Sequence, residues 1–324
     1  MDTDLFEVIV TRASLSPSIH NAQPTRWRLV KNDIWVAVDP FVTLPYADPT
    51  GAGVALSCGA AVEATVLALS QVGYRATVQD IWANKDQRSW TGHRMAAIIS
   101  FRAGGSVDGL SAMLETRFTW RGTFDAEPQD LCDWARVDTA LVSDESTHAW
   151  LARLNDVASL PILCQTSFRK ELLGWFRLKP DHPRASYDGM NLAALRITLF
   201  RSIKLRLLLG PLWPLLDTFG WTGSLTAEAK VSQSASVIAC FHRPMDESLI
   251  TSGRAYLRLL LEAASLGLAG WPMAALTYDV EIERKVLDRM LISADRRLVQ
   301  VVRIGKPMGS QPTRARQLLK ELIS

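Results

Sequence analysis

Cysteine is scarce in this chain: Cys58, Cys132, Cys164 and Cys240 lie far apart, and no Cys-x-x-Cys pair occurs. That spacing excludes a disulfide-stapled scaffold and a zinc ribbon, and it predicts buried free thiols in a reducing compartment. The five histidines never pair at metal-ligand spacing, and Cys240-Phe-His242 alone is a poor ligand set. No Gly-x-Ser-x-Gly, His-Glu-x-x-His or P-loop signature is present, so hydrolase and metalloenzyme readings have little support. Long apolar runs are missing too. Residues 207–216 are the longest uncharged part of the apolar middle, too short for a bilayer and broken by Gly210, Pro211 and Pro214. The first residues carry acids where a secretory signal carries bases, which predicts a cytoplasmic chain. Net charge is only +3, so electrostatics give no reason to expect a nucleic-acid partner.

What the chain does have is size and apolar content: 324 residues, 48% hydrophobic, with 11 tryptophans. That is enough for one large domain or two ordinary ones. Residues 4–14 predict a helix that stops before Pro17, because a residue preceding proline is pushed out of the helical region. Strands are expected over 27–30 and 34–38, then a helix over 56–71 and a β-run over 95–101. The second half repeats this plan, with a strand at 236–241, a helix at 253–266 and a β-run at 298–304. Gly59 and Gly73 bracket the first helix at the spacing with which Gly253 and Gly267 bracket the second. The repeat suggests two related halves about a pseudo-twofold axis.

Residues 161–230 fit neither copy. No acid occurs from Gly189 to Leu216, whereas Arg196, Arg201, Lys204 and Arg206 do. Leu192, Leu195, Leu199 and Ile203 form one stripe, but Ile197 and Leu205 are apolar on other faces. A helix apolar nearly all round predicts a covered core helix first, a lid over a ligand pocket second, and a membrane-surface helix third.

Two segments carry candidate chemistry. Ser16-Pro-Ser-Ile-His-Asn-Ala-Gln-Pro24 places a hydroxyl, backbone donors and two carboxamides on one proline-bounded loop. Carboxamides suit the alternating donor and acceptor edge of a heterocycle, although a capped turn explains the same residues about as well. In Glu115-Thr-Arg-Phe-Thr-Trp-Arg-Gly, Arg117 and Arg121 flank Thr119. At a helix start these three would converge on one phosphate; alone, a solvated basic face would be the plainer reading. Gly51-Ala-Gly53 lacks the third glycine of a dinucleotide fingerprint and is read only as an approach to a helix.

Together these segments resemble the FMN-dependent nitroreductase family. The first loop is similar to the family's Ala-Pro-Ser-x-x-Asn-x-Gln-Pro-Trp element, with Thr25 in place of Trp. Arg117-Phe-Thr-Trp-Arg121 resembles its Arg-x-Ser-x-Arg/Lys phosphate motif. Leu-Ala-Gly-Trp-Pro-Met-Ala-Ala275 and the tail through Thr313-Arg-Ala-Arg316 complete the likeness. The resemblance implies an α+β nitroreductase-like fold, in the manner of the family's Acg-like branch. There a single chain forms an intramolecular pseudo-dimer, as a monomer or weak homodimer, with a helical lid insertion. The halves would be 1–105 and 106–160 with 231–324, and the lid 161–230.

It further implies non-covalent FMN. Arg117, Thr119 and Arg121, helped by Arg314 or Arg316, would hold the phosphate. Pro17, Ser18, Ile19 and Asn21 would contact the ring edge, braced by Gln23. Backbone groups of Met273, Ala274 and Ala275 would lie near the ring's reactive nitrogen. The implied activity passes a hydride from NAD(P)H through the flavin to a nitroaromatic, quinone or similar small acceptor, with no catalytic side chain. The alternative is an FMN-sequestering protein with little turnover.

Overall fold

The structure, a computed structural model, describes every residue except 84–89, 91, 126, 128, 130, 132, 133 and 324. Cys132 therefore lies outside the described residues. Helix α1 (Thr3–Ala13) is capped by Asp2, whose carboxylate accepts the Leu5 N–H at 2.9 Å. Strands β1 (Thr25–Val30) and β2 (Asp33–Val38) follow, then helix α2 (Ala52–Gln71) and strands β3 (Tyr74–Asp80) and β4 (Arg94–Ala103). Next come α3 (Met113–Thr116), β5 (Thr139–Val142) and α4 (Glu145–Cys164). The segment that fits neither copy holds α5 (Thr166–Trp175), the two-residue strands β6 (Phe176–Arg177) and β7 (Met190–Asn191), and α6 (Leu192–Leu195). It continues through α7 (Leu199–Leu209), α8 (Trp213–Thr218), α9 (Thr222–Thr226) and α10 (Ala229–Gln233). Then β8 (Val237–Pro244), α11 (Leu249–Ser265), β9 (Ala269–Pro272), α12 (Val280–Arg289), β10 (Arg296–Gly305) and α13 (Leu319–Leu322) complete the chain.

The strands pair antiparallel in two four-stranded sheets, ordered β1-β2-β4-β3 and β5-β8-β10-β9. Numbered within each sheet, both orders are first, second, fourth, third. In each, a long helix joins the second strand to the third: α2 in one, α11 in the other. The expected repeat therefore exists as topology.

The two long helices pack against each other, and the glycines mark how. Gly59 and Gly253 are interior to the helices and do not begin them, as their spacing suggested. A Cβ built on Gly59 would stand 2.3 Å from the Ile250 carbonyl oxygen, and one on Gly253 would stand 2.3 Å from that of Leu56. The backbones touch there because neither residue has a side chain. Gly73 and Gly267 do end the helices, at φ +79° and +74°. Glu63 on α2 bonds Arg254 and Arg258 on α11 at 2.8 and 2.9 Å, which fixes the register of the crossing. Ile250, Leu257 and Leu261 of α11 reach into the core of the first sheet.

Helix α2 begins four residues before its expected start, because Asp48 accepts the Gly53 and Val54 N–H groups at 3.0 and 2.7 Å. Among the described residues it alone is long and apolar enough to cross a membrane, and most of it is core. Cys58 and Cys240 are buried, but Cys164 ends α4 on the solvent side and is exposed, contrary to the expectation of buried thiols. Helix α7 is not the covered core helix its sequence suggests. Only Ser202 and Leu209 are buried; they are seven residues apart, so one narrow stripe faces the protein and the rest faces out.

Candidate functional site

The proline-bounded loop after α1 folds as a tight 3-10 turn, Ile19–Asn21, with His20, Asn21 and Gln23 all at φ near +50°. Left-handed residues other than glycine cost on the order of 1–3 kcal/mol each, so other contacts must hold this loop. They come from three directions. The Ile19 N–H donates to Ser57 Oγ on α2 at 3.1 Å, and the Gln23 N–H donates to Ser18 Oγ at 3.0 Å. Asn21 Nδ2 donates to the Gly189 carbonyl at 3.0 Å and to that of Ala315 at 3.2 Å, while its Oδ1 accepts from Arg316 at 2.8 Å. Gln23 donates to the Tyr187 carbonyl and accepts the Gln317 N–H, both at 2.9 Å. The two carboxamides thus tie the loop to the insertion and to the C-terminal tail.

Beside this loop opens a cleft whose empty space, with the solvent at its mouth, is roughly 600 Å³. Pro17, Ser18 and Asn21 form one wall, and Arg117, Thr119, Arg121, Arg314 and Arg316 form another. The arginine segment reaches it in a way the sequence did not suggest. Arg117 ends α3 with ψ 132° and the chain runs on extended, bridging β9 at Thr119–Gly270, with the Trp120 N–H on the Gly270 carbonyl at 3.1 Å. The expected helix start is absent. Period-two alternation does the work, sending residues 117, 119 and 121 toward one side while Trp120 packs into the core.

None of the four arginines has a carboxylate bonded to it among the described residues. Arg117 donates to the Leu15 carbonyl, Arg121 to that of Ala194, Arg314 to those of Glu115 and Arg117, and Arg316 to Asn21 and two carbonyls. The acids nearest them are engaged elsewhere: Glu115 pairs with Arg12 and Glu228 with Arg303. The Nε atoms of Arg117 and Arg316 are buried without any partner. Burial, with the neighbouring Arg316 and Arg314, draws the Arg117 guanidinium down to about 9; burial and Arg314 draw Arg316 to about 10. Arg121 falls to about 10 through burial, which the nearby Glu228 charge partly opposes and Arg303 reinforces. Guanidinium stays charged at neutral pH even so, and uncompensated buried charge is costly.

Of the residues singled out from sequence, Ile19 and Gln23 brace the loop from behind and do not line the cavity. Met273, Ala274 and Ala275 stand apart from it. Met273 is buried against the second sheet, its N–H on the Val301 carbonyl at 2.7 Å, and Ala274 opens a 3-10 turn. Sequence reasoning missed Phe118, Gly189, Met190, Ala194, Pro312, Thr313 and Ala315, which also line it. Phe118 and Ala315 sit between arginines already singled out and Thr313 beside one, whereas Gly189, Met190 and Ala194 belong to the insertion, where no motif pointed to them.

His20 lies behind the arginines with its Nε2 buried and unpartnered, and burial followed by Arg121 lowers its pKa to about 4. The folded value lies below the unfolded one, so the unfolded chain binds the proton first. Stability is therefore full above the unfolded pKa of 6.5 and falls as pH drops toward 4. Between pH 7 and pH 5 the loss should be about 2 kcal/mol, and His20→Asn, which tolerates the left-handed backbone, should remove it. Urea unfolding at the two pH values checks this; an equal acid loss in the variant would contradict it.

No family model matches the chain. Two curated proteins of Mycobacterium tuberculosis, strains CDC 1551 / Oshkosh and ATCC 25618 / H37Rv, are each 36% identical to it over 86 residues. Both bear the name "Putative NAD(P)H nitroreductase", and the match covers 26% of this chain. The chain spans only 25% of the length of these curated relatives. Among solved structures it is similar to an oxidized iodotyrosine deiodinase bound to FMN and 3-iodo-L-tyrosine, with 16% identity and TM-score 0.36 over 64% of this chain and 95% of that one. It is also similar to the FMN- and NADPH-dependent nitroreductase NfnB from Sphigopyxis sp. strain HMH, with 17% identity and TM-score 0.37 over 67% and 98%.

Proposed function

We propose that this chain is an FMN-dependent NAD(P)H oxidoreductase whose cofactor is held without a covalent bond in the arginine-lined cavity. The observation that carries this reading is the group of four arginines with no carboxylate bonded to any of them among the described residues, Glu228 and Glu115 acting on Arg121 and Arg314 only from a distance. A phosphate group supplies the missing charge and acceptors for the idle Nε donors. Arg117, Thr119 and Arg121 hold it from the extended segment, and Arg314 and Arg316 from the tail. Pro17 and Ser18 present the strained loop to the ring. Asn21 fixes the wall there, because its carboxamide is spent on Gly189, Ala315 and Arg316. FMN held by these residues would supply hydride transfer between NAD(P)H and an acceptor such as a nitroaromatic or quinone. The residues need no acid or base of their own. The field of the cluster favours added negative charge on a bound flavin, and Phe118, Met190 and Ala194 exclude water from the adjoining wall.

In this reading the halves are residues 1–105 and 106–160 with 231–324, joined as a pseudo-dimer at the α2–α11 crossing. Residues 161–230 are a lid, which supports a second reading: Arg121 donates to Ala194 of the insertion at 3.2 Å, so a closed lid could store FMN without turnover. The visible spectrum of the purified protein comes first. A yellow protein that releases FMN on denaturation is expected, and a colourless one that ignores added FMN would overturn both readings. Stopped-flow mixing with NADPH and NADH then separates them, since rapid bleaching means catalysis and lasting colour means storage.

A further inference from the structure

Nine of the 23 exposed large apolar residues among those described fall in residues 199–225: Leu199, Phe200, Ile203, Leu207, Leu212, Leu215, Phe219, Trp221 and Leu225. Phe200 is 65% exposed, and Trp221, stacked on Phe219, is 57% exposed. Such a concentration on a soluble surface marks a binding face. On α7 the roughly 100° turn per residue puts Leu199, Phe200, Ile203 and Leu207 in one sector about a quarter-turn wide. Arg206 borders that sector on one side and Lys204 on the other, with the buried Ser202 and Leu209 beyond Arg206. Lys204 lies 4.5 Å from the Phe200 ring, its stem along the apolar face. Arg201 adds a third exposed base, and the sequence holds no acid from Gly189 to Leu216.

We propose that α7 docks on an anionic lipid surface. An apolar sector sinks into the acyl boundary while flanking bases reach the head groups, which is the geometry of an interfacial helix. Charge argues against the obvious rival, a second copy of this chain. A twofold contact through α7 would set Arg201, Lys204 and Arg206 against their own copies, with no acid on that helix to pair them. The proposal is independent of flavin binding.

Full-length protein should co-sediment with phosphatidylcholine vesicles containing about 30% phosphatidylglycerol and leave pure phosphatidylcholine vesicles largely unbound. Salt near 1 M, where the Debye length is about 3 Å, should weaken the binding. Lys204→Glu should lower the partition constant at least about fivefold, the effect of one base near the surface. Phe200→Ser with Ile203→Ser should abolish binding without shifting the melting temperature, since both residues are exposed and fold stability does not depend on them. Failure to bind anionic vesicles overturns the proposal. So does equal binding to both vesicle types, or concentration-dependent dimerisation, lost in the Phe200→Ser, Ile203→Ser variant, in place of vesicle binding.

Discussion

Gly59→Ala should destabilise the protein by at least about 3 kcal/mol, although alanine is the better helix former. In an isolated helix the change would gain about 0.5–1 kcal/mol. Here the new methyl would lie 2.3 Å from the Ile250 carbonyl oxygen and 2.9 Å from the Gly253 Cα, both backbone atoms that cannot rotate away. The helices must separate, and with them Ile250, Leu257 and Leu261 withdraw from the first core. Gly253→Ala should cost a similar amount, its methyl meeting the Leu56 carbonyl oxygen at 2.3 Å. The double variant should cost less than the sum, because one separation accommodates both methyls. Gly174→Ala supplies the control, being helical in α5 with open space around the added atom. It should be neutral or slightly stabilising. Urea unfolding of the four variants decides the matter, and a stabilised Gly59→Ala would show that the helices do not cross there.

Those glycines illustrate what the sequence made legible and what it did not. Their equal spacing was visible and did signal a repeat, but their meaning was misplaced, since spacing cannot tell a helix boundary from a crossing point. Hairpin β1–β2 was readable from alternation, although its turn falls at Lys31-Asn32, with Asp33 already in β2 opposite Val30. Edge strand β3 was not called, although Tyr74, Ala76 and Val78 alternate directly after Gly73 and its pattern of burial alternates with them. Helix α7 was misjudged because its period says that it is a helix, while which faces are covered depends on neighbours far along the chain. The same holds at the site. Arg117, Thr119 and Arg121 were found by residue type, but their convergence comes from an extended run beside β9 and not from a helix start. The carbonyls of Gly189, Ala194 and Ala315 were invisible, because backbone atoms leave no trace in composition.

Arg117→Met should move two measurements in opposite directions. FMN affinity should fall roughly 5- to 150-fold, the loss of one charge-assisted hydrogen bond worth about 1–3 kcal/mol. The ligand-free protein should melt at a higher temperature. The Arg117 side chain is buried and, among the described residues, bonds only the Leu15 carbonyl, at 3.0 Å, which also accepts from Arg316 at 3.2 Å, so removing Arg117 strands no acceptor. Its burial and its repulsion by Arg316 and Arg314 are the penalties that methionine relieves while filling similar volume. Arg26 makes the contrast. It is as buried as Arg117, but it pairs with Asp39 and donates to the Gln23 and Thr25 carbonyls, so Arg26→Met leaves a carboxylate with only the Phe41 N–H and leaves two carbonyls short of a donor. That variant should lose about 3–5 kcal/mol of stability and keep its FMN affinity. Paired titrations and thermal melts of the two variants separate an arginine held for its ligand from one held for the fold. If Arg117→Met is instead destabilised like Arg26→Met and binds FMN unchanged, the cluster is structural and the phosphate assignment fails.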